Sequence, residues 1–112
     1  MERERFIRIP KDKKSMEDYD YGVQKNEQME EMVLSEEKYK KLEKMGIFEK
    51  INEACDVIID DYEEEVLELD KIPIAQEVIK KFISNNESEE LMELKRMLDL
   101  AVSYKTIVGF DF

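Results

Sequence analysis

The sequence contains no histidine and no tryptophan, one cysteine (Cys55) and three glycines in 112 residues. Without histidine the chain has neither the usual proton shuttle at neutral pH nor the Ser-His and Cys-His pairs that activate nucleophiles. A lone cysteine forms no intrachain disulfide and builds no cysteine-rich zinc site, and it fits a reducing compartment. The three glycines lie far apart, so the chain has no glycine-rich phosphate-binding loop. We therefore expect a protein that is not an enzyme, with no catalytic residues, no metal and no cofactor.

Long hydrophobic runs are also missing. No apolar stretch approaches the length of a membrane span, and no apolar segment follows the charged N-terminus as it would in a signal peptide. These absences predict a cytoplasmic protein that has no membrane partner.

Positive charge is scarce, since 18 Lys and Arg face 29 Asp and Glu, and the net charge is −11. The imbalance is uneven along the chain. Residues 1–14 hold six basic and three acidic side chains, so the other 98 residues carry −14. An acidic surface repels phosphates, which argues against direct nucleic-acid binding and in favour of a basic protein partner.

The length and the 42% apolar content predict a single globular domain over residues 1–112. β-branched and aromatic residues predict strands at Arg5–Pro10 and at 106–112, where Gly109 marks a bulge or a close backbone approach. Met29–Leu34 fits a strand or a helical turn. Apolar periodicity predicts four helices, which begin after Ser35, at Ile47, after Asp70 and after Ser88. The predicted fold class is α+β, with a small, mostly antiparallel sheet and about four helices packed on it.

Residues 11–28 are polar and have no sustained period, which predicts a surface loop. Tyr19 and Tyr21 flank Asp20 in this segment, and Gly22 follows.

The most distinctive stretch is residues 56–69, which begins as an apolar run and becomes an acidic cluster without one Lys or Arg. The run Val57-Ile58-Ile59 predicts a buried strand that fixes the start of the cluster. Tyr is favoured at interface centres, and an acidic patch on a fixed backbone steers a cationic partner. The predicted partner-binding residues are Asp60, Asp61, Tyr62, Glu63, Glu64, Glu65 and Glu68.

Two other uses of these residues are weaker. The carboxylates are suitable ligands for Mg²⁺ or Ca²⁺ and could serve a carboxylate-metal hydrolase, but their spacing matches no EF-hand loop. Cys55 has acidic neighbours, which disfavour a thiolate, so we expect it to fill the core.

The order of segments is similar to that of a known class. Residues 46–52 (Gly-Ile-Phe-Glu-Lys-Ile-Asn), then 58–65 (Ile-Ile-Asp-Asp-Tyr-Glu-Glu-Glu), then two helices leading into 108–112 (Val-Gly-Phe-Asp-Phe), resemble small acidic immunity proteins of bacterial polymorphic and contact-dependent growth inhibition toxin systems. The resemblance covers about residues 35–112. It implies a cytosolic protein that binds a cognate toxin and blocks its active site or substrate path.

These observations give one expectation and three alternatives. The expectation is an immunity protein, a monomer or weak homodimer, whose acidic cluster occludes the active site of a basic toxin such as a nuclease. The first alternative is a phage-type inhibitor of a nucleic-acid enzyme that works by the same charge mimicry. The second is the carboxylate-metal hydrolase, and the third is an adaptor that uses residues 19–22.

Overall fold

A computed structural model describes residues 3–112 of the chain. In this range the elements run in the order β1 (Arg5–Pro10), α1 (Lys13–Asp20), β2 (Met29–Leu34), α2 (Glu36–Met45), α3 (Ile47–Cys55), β3 (Glu64–Leu67), α4 (Ile72–Asn85), α5 (Glu89–Tyr104) and β4 (Val108–Asp111), with 3-10 turns at Asn26–Gln28 and Leu69–Lys71.

The four strands form one antiparallel sheet in the order β2-β1-β4-β3. The two termini of the described chain therefore pair in the middle of the sheet, and β2 and β3 form its edges. In β3, Glu64 lies opposite Asp111 and Val66 opposite Gly109, while Leu67 lies opposite Val108. This register confirms the predicted α+β class with an antiparallel sheet.

The two faces of the sheet differ because strand side chains alternate. One face is covered by the helices and carries Ile7, Ile9, Val108 and Phe110, all of which are buried. Helix α5 packs directly on this face, and α2, α3 and α4 complete the layer. The opposite face carries polar groups, including Arg8 of β1.

Local signals set both ends of α2 and the start of α5 as the sequence predicted, whereas no side chain caps the N-terminus of α4, which begins at Ile72 after the 3-10 turn Leu69–Lys71. The Ser35 hydroxyl accepts the Lys38 amide, and the Ser88 hydroxyl accepts the Leu91 amide. Gly46 ends α2 with a φ of 84°, a left-handed conformation that glycine adopts readily. Cys55 is buried at the end of α3, and burial raises the pKa of its thiol.

The prediction of a surface loop over residues 11–28 was wrong for its first half, because Lys13–Asp20 is helical. The Asp12 carboxylate caps this helix by accepting the Ser15 amide at 2.7 Å. The helix lacked a periodic signal because Ser15 is its only buried residue. Helix α1 is thus the one helix in the described chain beyond the four predicted.

The predicted strand over residues 57–59 was also wrong. Ile59 is buried, but Ile58 is 69% exposed, and no strand pairs with this segment among the residues described. The Asn52 side chain takes the place of a partner strand: its Oδ1 accepts the Ile59 amide at 2.7 Å and its Nδ2 donates to the Ile59 carbonyl at 3.0 Å. β propensity has no effect where no neighbouring strand completes the ladder.

Helix α1 lies on the polar face of the sheet through one close contact. Its Tyr19 ring lies over Gly109 of β4, and a Cβ added at Gly109 would stand 2.0 Å from the Tyr19 hydroxyl oxygen. That hydroxyl donates to the Asp111 carboxylate at about 2.9 Å. Burial, followed by the charge of Asp111, raises the pKa of the Tyr19 phenol. Gly109 therefore marks a close approach, as the sequence predicted, and the contact fixes where α1 sits.

Gly109→Ala should displace Tyr19 and reduce the free energy of unfolding by about 2 kcal/mol, as overpacking does. In a Tyr19→Ala background the same change should have little effect, because the obstructing ring is gone. Urea denaturation of the four variants measures this coupling. An equal loss in both backgrounds would show that the contact does not control the position of α1.

Candidate protein-binding surface

The residues predicted to bind a partner lie on the loop between α3 and β3, on edge strand β3, and, for Glu68, directly after that strand. The loop turns sharply, with left-handed backbone at Asp56 (φ 55°) and Tyr62 (φ 65°). The seven residues fall into two groups in the structure. Some form hydrogen bonds that hold the loop in place, and the others face solvent.

Asp61 belongs to the first group. Both its carboxylate oxygens accept from Arg5, Oδ1 from Nε and Oδ2 from Nη2, each at 2.8 Å. Arg5 is 3% exposed, also donates to Glu36 at 3.0 Å, and stacks over the Tyr39 ring at 3.9 Å. The hydrogen bonds from Arg5 hold the pKa of Asp61 below its usual value. This fork-to-fork pair joins β1, the acidic loop and the first turn of α2.

The basic N-terminal segment thus has a structural role that the sequence did not reveal. Arg3 pairs with Asp61 as well, and its guanidinium lies 4.1 Å from the centre of the Tyr62 ring. Tyr62 is otherwise 79% exposed. From the absence of Lys and Arg in residues 56–69, the cluster was predicted to lack compensating cations. That prediction is wrong at Asp61, because Arg3 and Arg5 of the N-terminal segment both pair with it.

Glu65 also works internally. Its Oε2 accepts the Ile58 amide at 2.8 Å and its Oε1 accepts the Val66 amide at 3.0 Å. The side chain therefore ties the loop to β3 and covers part of that open sheet edge. Together with the Asn52 contacts to Ile59, it holds the loop at both ends.

The remaining carboxylates are unpaired. Asp60, Glu63, Glu64 and Glu68 are exposed, and none of them forms an ion pair with any residue between 3 and 112. The Asp60 carboxylate accepts the neighbouring Asp61 amide at 2.8 Å, which fixes its direction. These four residues form an outward-facing acidic ridge whose backbone is held by Arg5, Asn52 and Glu65.

A groove with a volume of about 600 Å³ runs along one side of the ridge, between α1 and β3. Glu64 and Glu68 stand on the β3 side, and Glu17 and Asp20 on the α1 side. Val66 and Ile107 provide apolar surface in the groove. Arg8 is the one cation among its lining residues, and it already donates to Glu31 at 2.6 Å and to Asp111 at 2.7 Å.

The sequence offered no indication of Glu17 as a site residue and pointed to Asp20 only within the 19–22 segment, because both were predicted to lie in a surface loop. Their signal was indirect. Asp12 is an N-cap residue, and the Lys14–Asp18 spacing is the i,i+4 pair of a helix, observed at 2.8 Å. Within the 19–22 segment, which was predicted to be a loop, Tyr19 belongs to helix α1. Tyr21 follows the end of that helix and is 80% exposed.

On the other side of the ridge a smaller hollow of about 250 Å³ lies against α2 and α3. Tyr39, Phe48 and Ile58 supply its apolar surface, and Glu43, Glu49 and Asp60 line it as well. The ridge thus separates two acidic depressions.

The described residues contain neither a cluster of potential metal ligands nor a helix able to span a membrane. Across residues 3–112, no three acidic or cysteine side chains are grouped closely enough to hold a metal ion. None of the helices in that range combines the length and the apolar character that crossing a bilayer needs.

Arg5→Met should lower the free energy of unfolding by about 3 kcal/mol, because it removes the buried cation that Asp61 and Glu36 share and leaves them only the more exposed Arg3 and Lys40. Amide hydrogen exchange should accelerate in residues 57–63, which the pair holds. Arg96→Met on the exposed face of α5 is the matched control and should change stability by less than about 0.5 kcal/mol. Equal effects of the two variants would remove Arg5 from the support of the loop.

The Asp61 pair also predicts a pH dependence. A carboxyl whose pKa is lower in the folded state stabilises the fold above its unfolded pKa, here 3.8, and that contribution is lost as the pH falls through the lowered folded value. The stability difference between the wild type and Asp61→Asn should therefore be constant near neutral pH and shrink below pH 3.8. Denaturation at several pH values measures it, and a difference that grows in acid would contradict the ion pair.

The fold resembles that of a solved structure, the Neisseria DNA mimic protein DMP12, with a TM-score of 0.68 over 97% of this chain and 98% of that chain. The two sequences are 14% identical, so the likeness is one of fold. No protein-family model and no curated protein matches the sequence.

Proposed function

We propose that this protein is a stoichiometric inhibitor that binds the nucleic-acid-binding surface of a partner protein and presents carboxylates where the partner expects phosphates. The observation that carries the proposal is the acidic ridge of Asp60, Glu63, Glu64 and Glu68, which forms no ion pair within residues 3–112 and is held on a fixed backbone. A fixed row of negative charge is what a Lys- and Arg-lined cleft binds. The inhibitor acts without catalysis, in the cytosol, as a monomer or weak homodimer.

The division of labour among the carboxylates supports this proposal. Asp61 and Glu65 are used within the fold, so their charges hold the loop and contribute little to binding. The four ridge residues make no such contacts with other elements of the described chain. The fold likeness to a DNA mimic protein supports the same function, since mimicry of a nucleic acid is what we propose for the acidic ridge.

The immunity function implied by the sequence resemblance is a narrower form of this proposal, in which the partner is a toxin. The fold likeness favours the broader form, charge mimicry against a protein that binds nucleic acid. The two are separated by the partner: an immunity protein protects cells against a partner that is toxic when expressed alone, and a charge mimic of a cellular protein does not.

The test begins with nuclease-treated lysate of the source cells passed over the immobilised protein, followed by identification of what it captures. Each purified partner is then bound to a labelled DNA or RNA duplex, and the protein is added while fluorescence anisotropy is followed. We expect release of the duplex at one protein per site, with an affinity that weakens as salt rises. A partner that keeps its duplex at saturating protein would refute the proposal.

Reversal of the ridge should abolish this activity. Asp60, Glu63, Glu64 and Glu68 changed together to Lys should weaken partner binding about 100-fold or more, equivalent to about 2.7 kcal/mol. A control with Glu53, Glu77, Glu87 and Glu89 changed to Lys carries the same net charge, and its sites line neither groove. Isothermal titration calorimetry compares the two. Equal weakening would mean that net charge, and not the ridge, drives binding.

A further inference from the structure

The groove between α1 and β3 has carboxylates on both of its walls, an arrangement that the net charge of the chain does not by itself produce. Its two walls come from different parts of the chain, with Glu17 and Asp20 on α1, Glu64 on β3 and Glu68 directly after β3. None of these four carboxylates has an ion-pair partner among residues 3–112. The contact between the Tyr19 ring of α1 and Gly109 of β4 fixes the position of α1 on the sheet, and with it the spacing between the two walls.

The groove is also apolar below its carboxylates. Val66 and Ile107 line it together with Met16 of α1. Lysine and arginine side chains bury their aliphatic stems on such surface and extend their charged ends to nearby carboxylates. The cation already present, Arg8, is neutralised by Glu31 and Asp111 and therefore does not repel a second cation.

The outer edge of β3 is not free to pair with an added peptide strand. The Val66 amide donates to the Glu65 carboxylate, and the same carboxylate holds the Ile58 amide of the neighbouring loop. A peptide that added a fifth strand would have to displace these bonds. An occupant therefore lies in the groove, against the polar face of the sheet, rather than along the strand edge.

We propose that this groove receives an extended, Lys- or Arg-rich segment of the partner protein, with Glu17 and Asp20 of α1 as one wall of the binding site. The inference rests on the proposed function and adds to it a second contact. The ridge meets the partner's basic cleft while the groove holds a basic arm or tail. A nucleic acid is excluded by its phosphates, and a second copy of this chain by its net charge of −11.

The experiment uses the full chain and a hexalysine peptide as the probe, followed by two-dimensional NMR of backbone amides. We expect saturable shifts concentrated in Lys13–Asp20 of α1 and in Glu64–Leu67 of β3. Glu17→Gln with Asp20→Asn should weaken peptide binding about tenfold. Glu87→Gln with Glu89→Gln removes the same charge beside α5 and should weaken it less than about twofold. Both pairs are exposed, and unchanged spectra elsewhere confirm the fold.

Shifts scattered over the whole acidic surface, or equal weakening by the two pairs, would overturn the groove as a site. The outcome is separable from that of the proposed function. If hexalysine binding fails this test but the protein still releases duplex from its partner, the ridge acts alone and only the groove is refuted. If hexalysine seats in the groove but no captured partner loses its nucleic acid, the proposed function is refuted and the groove stands.

Discussion

The display of charge in this protein depends on one ion pair, between buried Arg5 and partly exposed Asp61. A loop rich in carboxylates repels itself and would not hold a shape without a cation beneath it. Arg5 supplies that cation from the first strand, at 3% exposure, and it also reaches Glu36 and the ring of Tyr39. The guanidinium can do this because its planar fork satisfies several acceptors at once. Because Arg5 neutralises Asp61, the loop keeps its shape while the neighbouring Asp60 and Glu63 form no ion pair in the described chain.

This arrangement reconciles stability with an acidic surface. The cations near the loop are directed inward at Asp61, while the ridge of Asp60, Glu63, Glu64 and Glu68 receives none from the described chain. On the polar face of the sheet a cation is likewise used within the fold, because Arg8 pairs with Glu31 and Asp111. Unpaired carboxylates therefore line the space between α1 and β3, where a cationic segment would bring the balancing charge.

Several elements were predictable because their signals are local. Ser35, Gly46 and Ser88 mark helix ends through contacts within a few residues, and the α+β class follows from the apolar periods between them. Two predictions failed for opposite reasons. Helix α1 has one buried residue, the polar Ser15, so it has no apolar period to detect, and residues 57–59 have strong β propensity but no strand to pair with in the described chain. In the candidate site, the seven predicted residues lie together, yet their separation into supporting and free carboxylates was beyond the sequence.

The amino-acid sequence by itself determined the net charge, the lack of histidine chemistry, the helix ends marked by Ser35, Gly46 and Ser88, and the position of the acidic cluster along the chain, since each of these is a property of composition or of neighbouring residues. Tertiary structure alone decided which carboxylates are free. Arg5 and Asp61 are 56 residues apart, and Tyr19 and Asp111 are 92 apart. Such pairs form only when the fold brings segments that are distant in sequence close together, because ion pairing and close packing depend on distance in space.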